Sequence, residues 1–169
     1  MAKSSPYSVA INNAQERWPV DQRRIREAVR AILAGEGYSA GQVSVAVVDD
    51  PTIHRLNRQF LEHDYPTDVL SFLLEENDQR TRLEGEVIVS ADTAAQTAER
   101  YGWRAEDELL LYVIHGTLHL TGYDDLEPEL QVEMRERERH YLSLFGLTPR
   151  YAADETTDEA ADDLPDGKN

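Results

Sequence analysis

Between Val20 and Ala34, the residues Ile25, Ala28, Val29, Ile32 and Leu33 fall at helical spacing, and Gly35 and Gly37 stop the pattern. An amphipathic helix is expected there. Val43, Val45 and Val47 then alternate with Ser44 and Ala46 ahead of Asp49-Asp50-Pro51, the pattern of a strand entering a turn, and a second helix follows from about Thr52 to Phe60. Val69 to Leu74 is a mostly apolar strand introduced by Pro66-Thr67-Asp68. Glu86 to Ser90 is another after Gly85, with Glu75 to Arg82 as a polar loop between them. Strand, loop and strand in that order suggest a hairpin. Ala91 to Tyr101 reads as a helix, and Glu106 to about Leu120 as a long one that is almost wholly apolar in its middle, which places it centrally in the core. The last helix starts near Pro128, a residue suited to a first helical position, and ends before Gly146. Leu130, Met134, Tyr141 and Leu144 share one of its faces, while the alternating charges from Arg135 to Arg139 read as a solvated surface. Together these elements predict an α+β fold, a small mixed sheet packed against about five helices with one helix buried at the centre.

Composition narrows the picture. With 169 residues and 40% hydrophobic content the chain suits one domain with a real core, taken as residues 1–150. No secretory signal or membrane span is evident, which implies a cytoplasmic protein without membrane association. Cysteine is absent, so any metal must be held by nitrogen and oxygen. The net charge of −16 argues against a broadly nucleic-acid-binding surface, but its distribution is uneven. Residues 151–169 carry seven acids against Lys168 alone, contributing −6 and leaving −10 for the rest. Poor in large apolar side chains, that segment is expected to be a disordered acidic tail. Arg23, Arg24, Arg26 and Arg30 on the first helix read as a solvated face rather than a phosphate-binding patch.

Candidate chemistry concentrates in His115-Gly116-Thr117-Leu118-His119-Leu120-Thr121-Gly122-Tyr123-Asp124-Asp125. Histidines four residues apart on the buried helix stand one turn above each other and can share a cation. Gly122 can take a left-handed conformation, end the helix and return the chain so that Asp125 becomes a third ligand. Two imidazoles and one carboxylate leave a fourth position on tetrahedral zinc for water, the mark of a catalytic site. The competing reading makes the histidines hydrogen-bonded core residues and Asp125 a helix cap. Glycine and aspartate at fixed offsets favour the metal, because a cation would satisfy all three buried polar groups together.

These residues, with Pro66-Thr67-Asp68-Val69-Leu70-Ser71-Phe72 and Gly85-Glu86-Val87, resemble the YbeY family of ribosomal RNA maturation endoribonucleases over roughly Val43 to Phe145. The resemblance implies a metal-dependent, single-strand-specific endoribonuclease that acts in 3′-end maturation of small-subunit (16S) ribosomal RNA and in ribosome quality control. Its partners would be ribosomal RNA, the small ribosomal subunit and proteins of ribosome assembly. It also implies one zinc ion (Zn2+) per chain, at His115, His119 and Asp125. The chain departs from the family pattern twice. Most members have histidine at the position of Asp125, and many have arginine at the position of Leu61, where leucine cannot pair with phosphate. Phosphate contact is then expected from elsewhere, with Arg55 and Arg58 as candidates. Asp68 and Asp124 are the candidate catalytic proton acceptors.

Two alternatives stand beside this reading. One is a metzincin-like zinc peptidase with the same ligand spacing. It is opposed by Gly116 where H-E-x-x-H proteases carry their catalytic glutamate, and by Met134, the only downstream methionine, in a helix rather than a turn. The other is a non-catalytic ribosome-biogenesis adaptor that keeps the metal as a structural element.

Overall fold

Buried residues alternate along Ala40–Val48 (β2), where Val43, Val45 and Val47 face one side, and along Arg82–Ser90 (β4), where Leu83, Val87 and Val89 face the same side. The computed structural model describes residues 5–61 and 68–151. The Pro66-Thr67 turn, the side chain of Leu61 and the acidic segment from residue 152 onward lie outside the described residues. The sheet is mixed, with strand order β1-β2-β4-β3. Tyr7–Asn13 (β1) and β2 run parallel, as do β2 and β4, while Val69–Glu76 (β3) runs antiparallel to β4 at the far edge. Gln22–Gly35 (α1) makes the crossover from β1 to β2, as a parallel pair requires.

Period-2 alternation sends residues to both faces of the sheet, and each face is covered. On one side Val48, Leu70 and Ile88 meet Ile53 of Asp50–Leu61 (α2). On the other lies the main core, built from α1, Ala91–Tyr101 (α3), Ala105–Leu120 (α4) and Pro128–Ser143 (α5). The α1 face Ile25, Ala28, Val29, Ile32 and Leu33 is buried as its spacing predicts, and Asp21 caps the helix by accepting from the Arg24 backbone N–H at 3.1 Å. Helix α4 is buried on nearly every side, which is why its sequence shows so little polarity. It touches α1, α3, α5, β3 and β4, so its histidine-bearing end is set by most of the fold.

Several expectations need correction. The edge strand β1 was not expected, because only Val9 of its seven residues is fully buried. The segment between the hairpin strands is shorter than the polar run Glu75 to Arg82, since β3 continues to Glu76 and β4 begins at Arg82. The Asn77 side chain closes that turn by accepting from the backbone N–H groups of Thr81 and Arg82 at 2.8 and 2.9 Å. Leu144 is 57% exposed, whereas Leu142 is fully buried beside Tyr141. Arg24 is no solvated residue. Its Nη1 donates to the Asp107 carboxylate on α4 at 3.0 Å. Among the described residues no helix is long and apolar enough to cross a membrane.

Candidate metal centre

Helix α4 ends at Leu120, and Gly122 adopts φ +109°, so the chain reverses as the glycine suggested. The Tyr123 backbone N–H donates to the Leu118 carbonyl, and that of Gly122 to the His119 carbonyl, both at 3.1 Å. This closed turn carries Asp125 back to the helix end. His115 Nε2 and His119 Nε2 lie 3.0 Å apart, and the Asp125 oxygens lie 3.4 Å from the first and 3.6 Å from the second. The three residues named from spacing therefore converge and form a group able to hold a metal ion.

The other ring nitrogens fix which atoms point inward. His115 Nδ1 meets the Glu138 carboxylate at 2.6 Å, and His119 Nδ1 meets the Tyr123 carbonyl at 3.0 Å. Carboxylate and carbonyl oxygens accept only, so each Nδ1 carries a proton and donates it. With both rings neutral, both Nε2 atoms present lone pairs to each other and to a carboxylate, an arrangement that a cation satisfies. Ligand atoms around a tetrahedral zinc at about 2.0–2.1 Å would lie roughly 3.3 Å from one another. The observed separations bracket that value, and a two-nitrogen, one-oxygen donor set suits zinc. The side chains are 21%, 28% and 37% exposed for His115, His119 and Asp125, so the centre opens to solvent on one side.

Charge sets the two histidines apart. Burial disfavours protonation of His115, but the Glu138 carboxylate, aided by Asp125 and Asp68, outweighs it and raises the pKa. For His119, burial and then repulsion from His115 dominate, and its pKa is lowered.

Gly116 has a structural reason to be glycine. A Cβ there would lie 2.7 Å from Val87 Cγ1, 2.8 Å from Val69 Cγ2 and 2.9 Å from Ser71 Oγ. Helix α4 approaches the sheet too closely for a side chain, and the Ser71 hydroxyl donates to the Gly116 carbonyl at 2.9 Å. A glutamate at this position would be driven into β3 and β4 instead of toward the histidines, and Met134 indeed sits in α5. Both facts count against the peptidase arrangement.

Beside the centre opens a cavity of about 550 Å³ whose lining includes His115, Asp125, Asp68, Glu108 and Glu138. Asp68, exposed just before β3, therefore shares the cavity with His115 and Asp125 of the candidate metal-binding group. Asp124 does not line it, and its Oδ1 accepts from the Asp125 backbone N–H at 2.7 Å. Arg55 and Arg58 do not line it either.

The residue missed by sequence reading is Glu138. Set among charges of alternating sign, it is only 4% exposed, holds His115 through Oε2 and accepts from the Tyr151 hydroxyl through Oε1 at 2.8 Å. Its signal was positional, since Met134, Glu138 and Tyr141 lie on one face at helical spacing. A second unforeseen group is Glu36 at the end of α1. It accepts from the hydroxyls of Tyr123 at 2.8 Å and Tyr141 at 2.5 Å, tying the aspartate-bearing turn to α1 and α5.

Comparison with known proteins agrees with this architecture. A family model described as Endoribonuclease YbeY matches residues 10–146. A protein named Endoribonuclease YbeY from Rhodopirellula baltica is 42% identical over 141 residues, covering 82% of this chain and 72% of its own length. One of the same name from Salinibacter ruber is 38% identical, covering 88% of this chain and 99% of its own. The solution structure of TM1509 from Thermotoga maritima superposes with a TM-score of 0.56 at 33% identity, covering 79% of this chain and 85% of that one.

Proposed function

Because the chain belongs to the YbeY endoribonuclease family, we propose that it is a zinc-dependent endoribonuclease that cuts single-stranded RNA. Its substrate would be the 3′ region of small-subunit ribosomal RNA, during ribosome maturation and quality control in the cytoplasm. The observation that carries the reading is the convergence of His115 Nε2, His119 Nε2 and an Asp125 oxygen beside a cavity that His115 and Asp125 help to line.

His115, His119 and Asp125 would hold the ion. Bound there, zinc supplies Lewis-acid polarisation of a phosphate oxygen and a water of lowered pKa. Glu138 and the Tyr123 carbonyl orient the two imidazoles and keep their protons on Nδ1, so that both Nε2 lone pairs are available. Asp125, as a carboxylate in place of a third imidazole, lowers the net charge of the centre by one unit. We assign the proton-accepting role to Asp68, which lines the cavity, ahead of Asp124, which does not.

The test is cleavage of a 3′-extended small-subunit RNA precursor by protein of known metal content, with and without chelator, comparing wild type with His119→Ala. Chelator-sensitive cleavage that disappears in His119→Ala is expected, with casein left intact. Metal-loaded protein that binds ribosomal subunits but leaves the RNA whole would favour the adaptor, and casein hydrolysis the peptidase.

A further inference from the structure

The cavity beside the candidate metal centre is lined by charges of both signs. Besides its acidic groups, its lining includes Arg100, Arg135 and Arg150 with Tyr101 and Tyr151. On a chain of net charge −16, three guanidiniums reach one cavity that also holds the four carboxylates Asp68, Glu108, Asp125 and Glu138. Their placement is specific. Arg135 stacks over the Tyr151 ring with its guanidinium carbon 5.0 Å from the centroid, and Arg100 over Tyr101 at 5.4 Å. Arg150 Nη1 donates to the carbonyls of Tyr101 and Gly102, both at 2.9 Å. Neither Arg135 nor Arg150 makes an ion pair with a described residue, so these contacts orient the two charges without neutralising them.

We propose that Arg100, Arg135 and Arg150 form the subsite that grips the RNA backbone phosphate next to the one being cut. The inference rests on the nuclease reading above and deepens it. It also answers where phosphate contact comes from when position 61 is leucine. Planar guanidiniums suit phosphate oxygens, and aromatic rings beside them suit the bases of an unpaired strand. A duplex offers no free base faces to such a wall, which accords with single-strand preference. Arg150 and Tyr151 lie beyond the family-matched residues 10–146, so part of this wall is supplied by the segment that follows the matched region.

The experiment is steady-state cleavage of a fluorescent single-stranded RNA oligonucleotide by the zinc-loaded full chain at several salt concentrations. Arg135→Glu is compared with Arg23→Glu, which makes the same charge change on an exposed face of α1 away from the cavity. For Arg135→Glu we expect KM to rise at least tenfold with kcat within about twofold, and a flatter salt dependence, because each lost contact to a single strand removes about 0.7 from the slope. Arg150→Gln should raise KM about threefold to fivefold. Metal content and melting temperature verify folding, and Arg135→Gln serves if the charge reversal does not fold. Wild type that cleaves RNA while the Arg135 and Arg150 variants match Arg23→Glu would overturn the subsite alone. Wild type that cleaves no RNA would overturn the nuclease reading and the subsite with it.

Discussion

The two ends of helix α4 both bury polar groups, yet only one gathers side chains that could hold a metal ion. At the N-terminal end Asp107 is paired with Arg24 at 3.0 Å, and Glu108 accepts from the Trp103 indole N–H at 2.8 Å. Burial pushes the Glu108 carboxyl up to about 7, so it is largely protonated in mildly acidic solution. Asp107 and Glu108 each have a partner supplied by the chain, although Arg24 Nε is buried without a hydrogen-bond acceptor. At the C-terminal end, two imidazole nitrogens and a carboxylate face one another as acceptors, with their protons committed outward to Glu138 and Tyr123. A surplus of convergent acceptors is what makes this end a candidate metal site and the other a satisfied core.

The contrast can be attacked from either end, and the largest effect should come from the C-terminal one. His119→Ala is expected to lower zinc affinity at least about 10³-fold, or roughly 4 kcal/mol, while leaving the apo fold intact. Calorimetric zinc titration and apo melting curves measure the two halves of that statement. Glu138→Gln should follow, weakening zinc about 10–100-fold by loosening His115 while all three ligands remain. Rescue by Glu138→Asp would not be expected, because the shorter side chain cannot reach both His115 and Tyr151.

At the other end, Arg24→Met should cost about 1–2 kcal/mol in urea unfolding, discounted because Arg24 is one-fifth exposed, and should leave zinc affinity unchanged. A change in zinc affinity would mean that the two ends are coupled. The smallest effect is a slope. Between about pH 4.5 and 7 the folded protein keeps the Glu108 proton that the unfolded chain releases, so the native state binds more protons and stability falls as pH rises. Glu108→Gln should remove that fall, worth on the order of 1–2 kcal/mol between pH 5 and pH 7.5, because a glutamine oxygen can still accept from Trp103. An unchanged slope in the variant would show that another group carries it.

The same contrast explains what could be read in advance. Helix α4 was legible because an apolar run of its length has few alternatives, and the histidine, glycine and aspartate offsets encode both the shared face and the reversal. β3, β4, α1, α2, α3 and α5 were legible from periodicity to within a few residues. Glu138 was not, since a charge among alternating charges looks solvated unless its register with Met134 and Tyr141 is weighed first. β1 was hidden because an edge strand buries little and so leaves little pattern. Gly116 could be read only as a missing glutamate until the sheet behind it came into view. The basic wall was invisible for another reason, since Arg100, Arg135 and Arg150 are distant in sequence and only the fold brings them to one cavity.

The most direct measurement is the metal content of purified Asp125→Ala and Asp124→Ala proteins, taken beside wild type after equal zinc loading and dialysis. The account predicts about one zinc per chain in wild type and in Asp124→Ala, and little or none in Asp125→Ala. Full occupancy in Asp125→Ala with loss in Asp124→Ala would contradict it, because the turn would then be delivering the other carboxylate to the histidines.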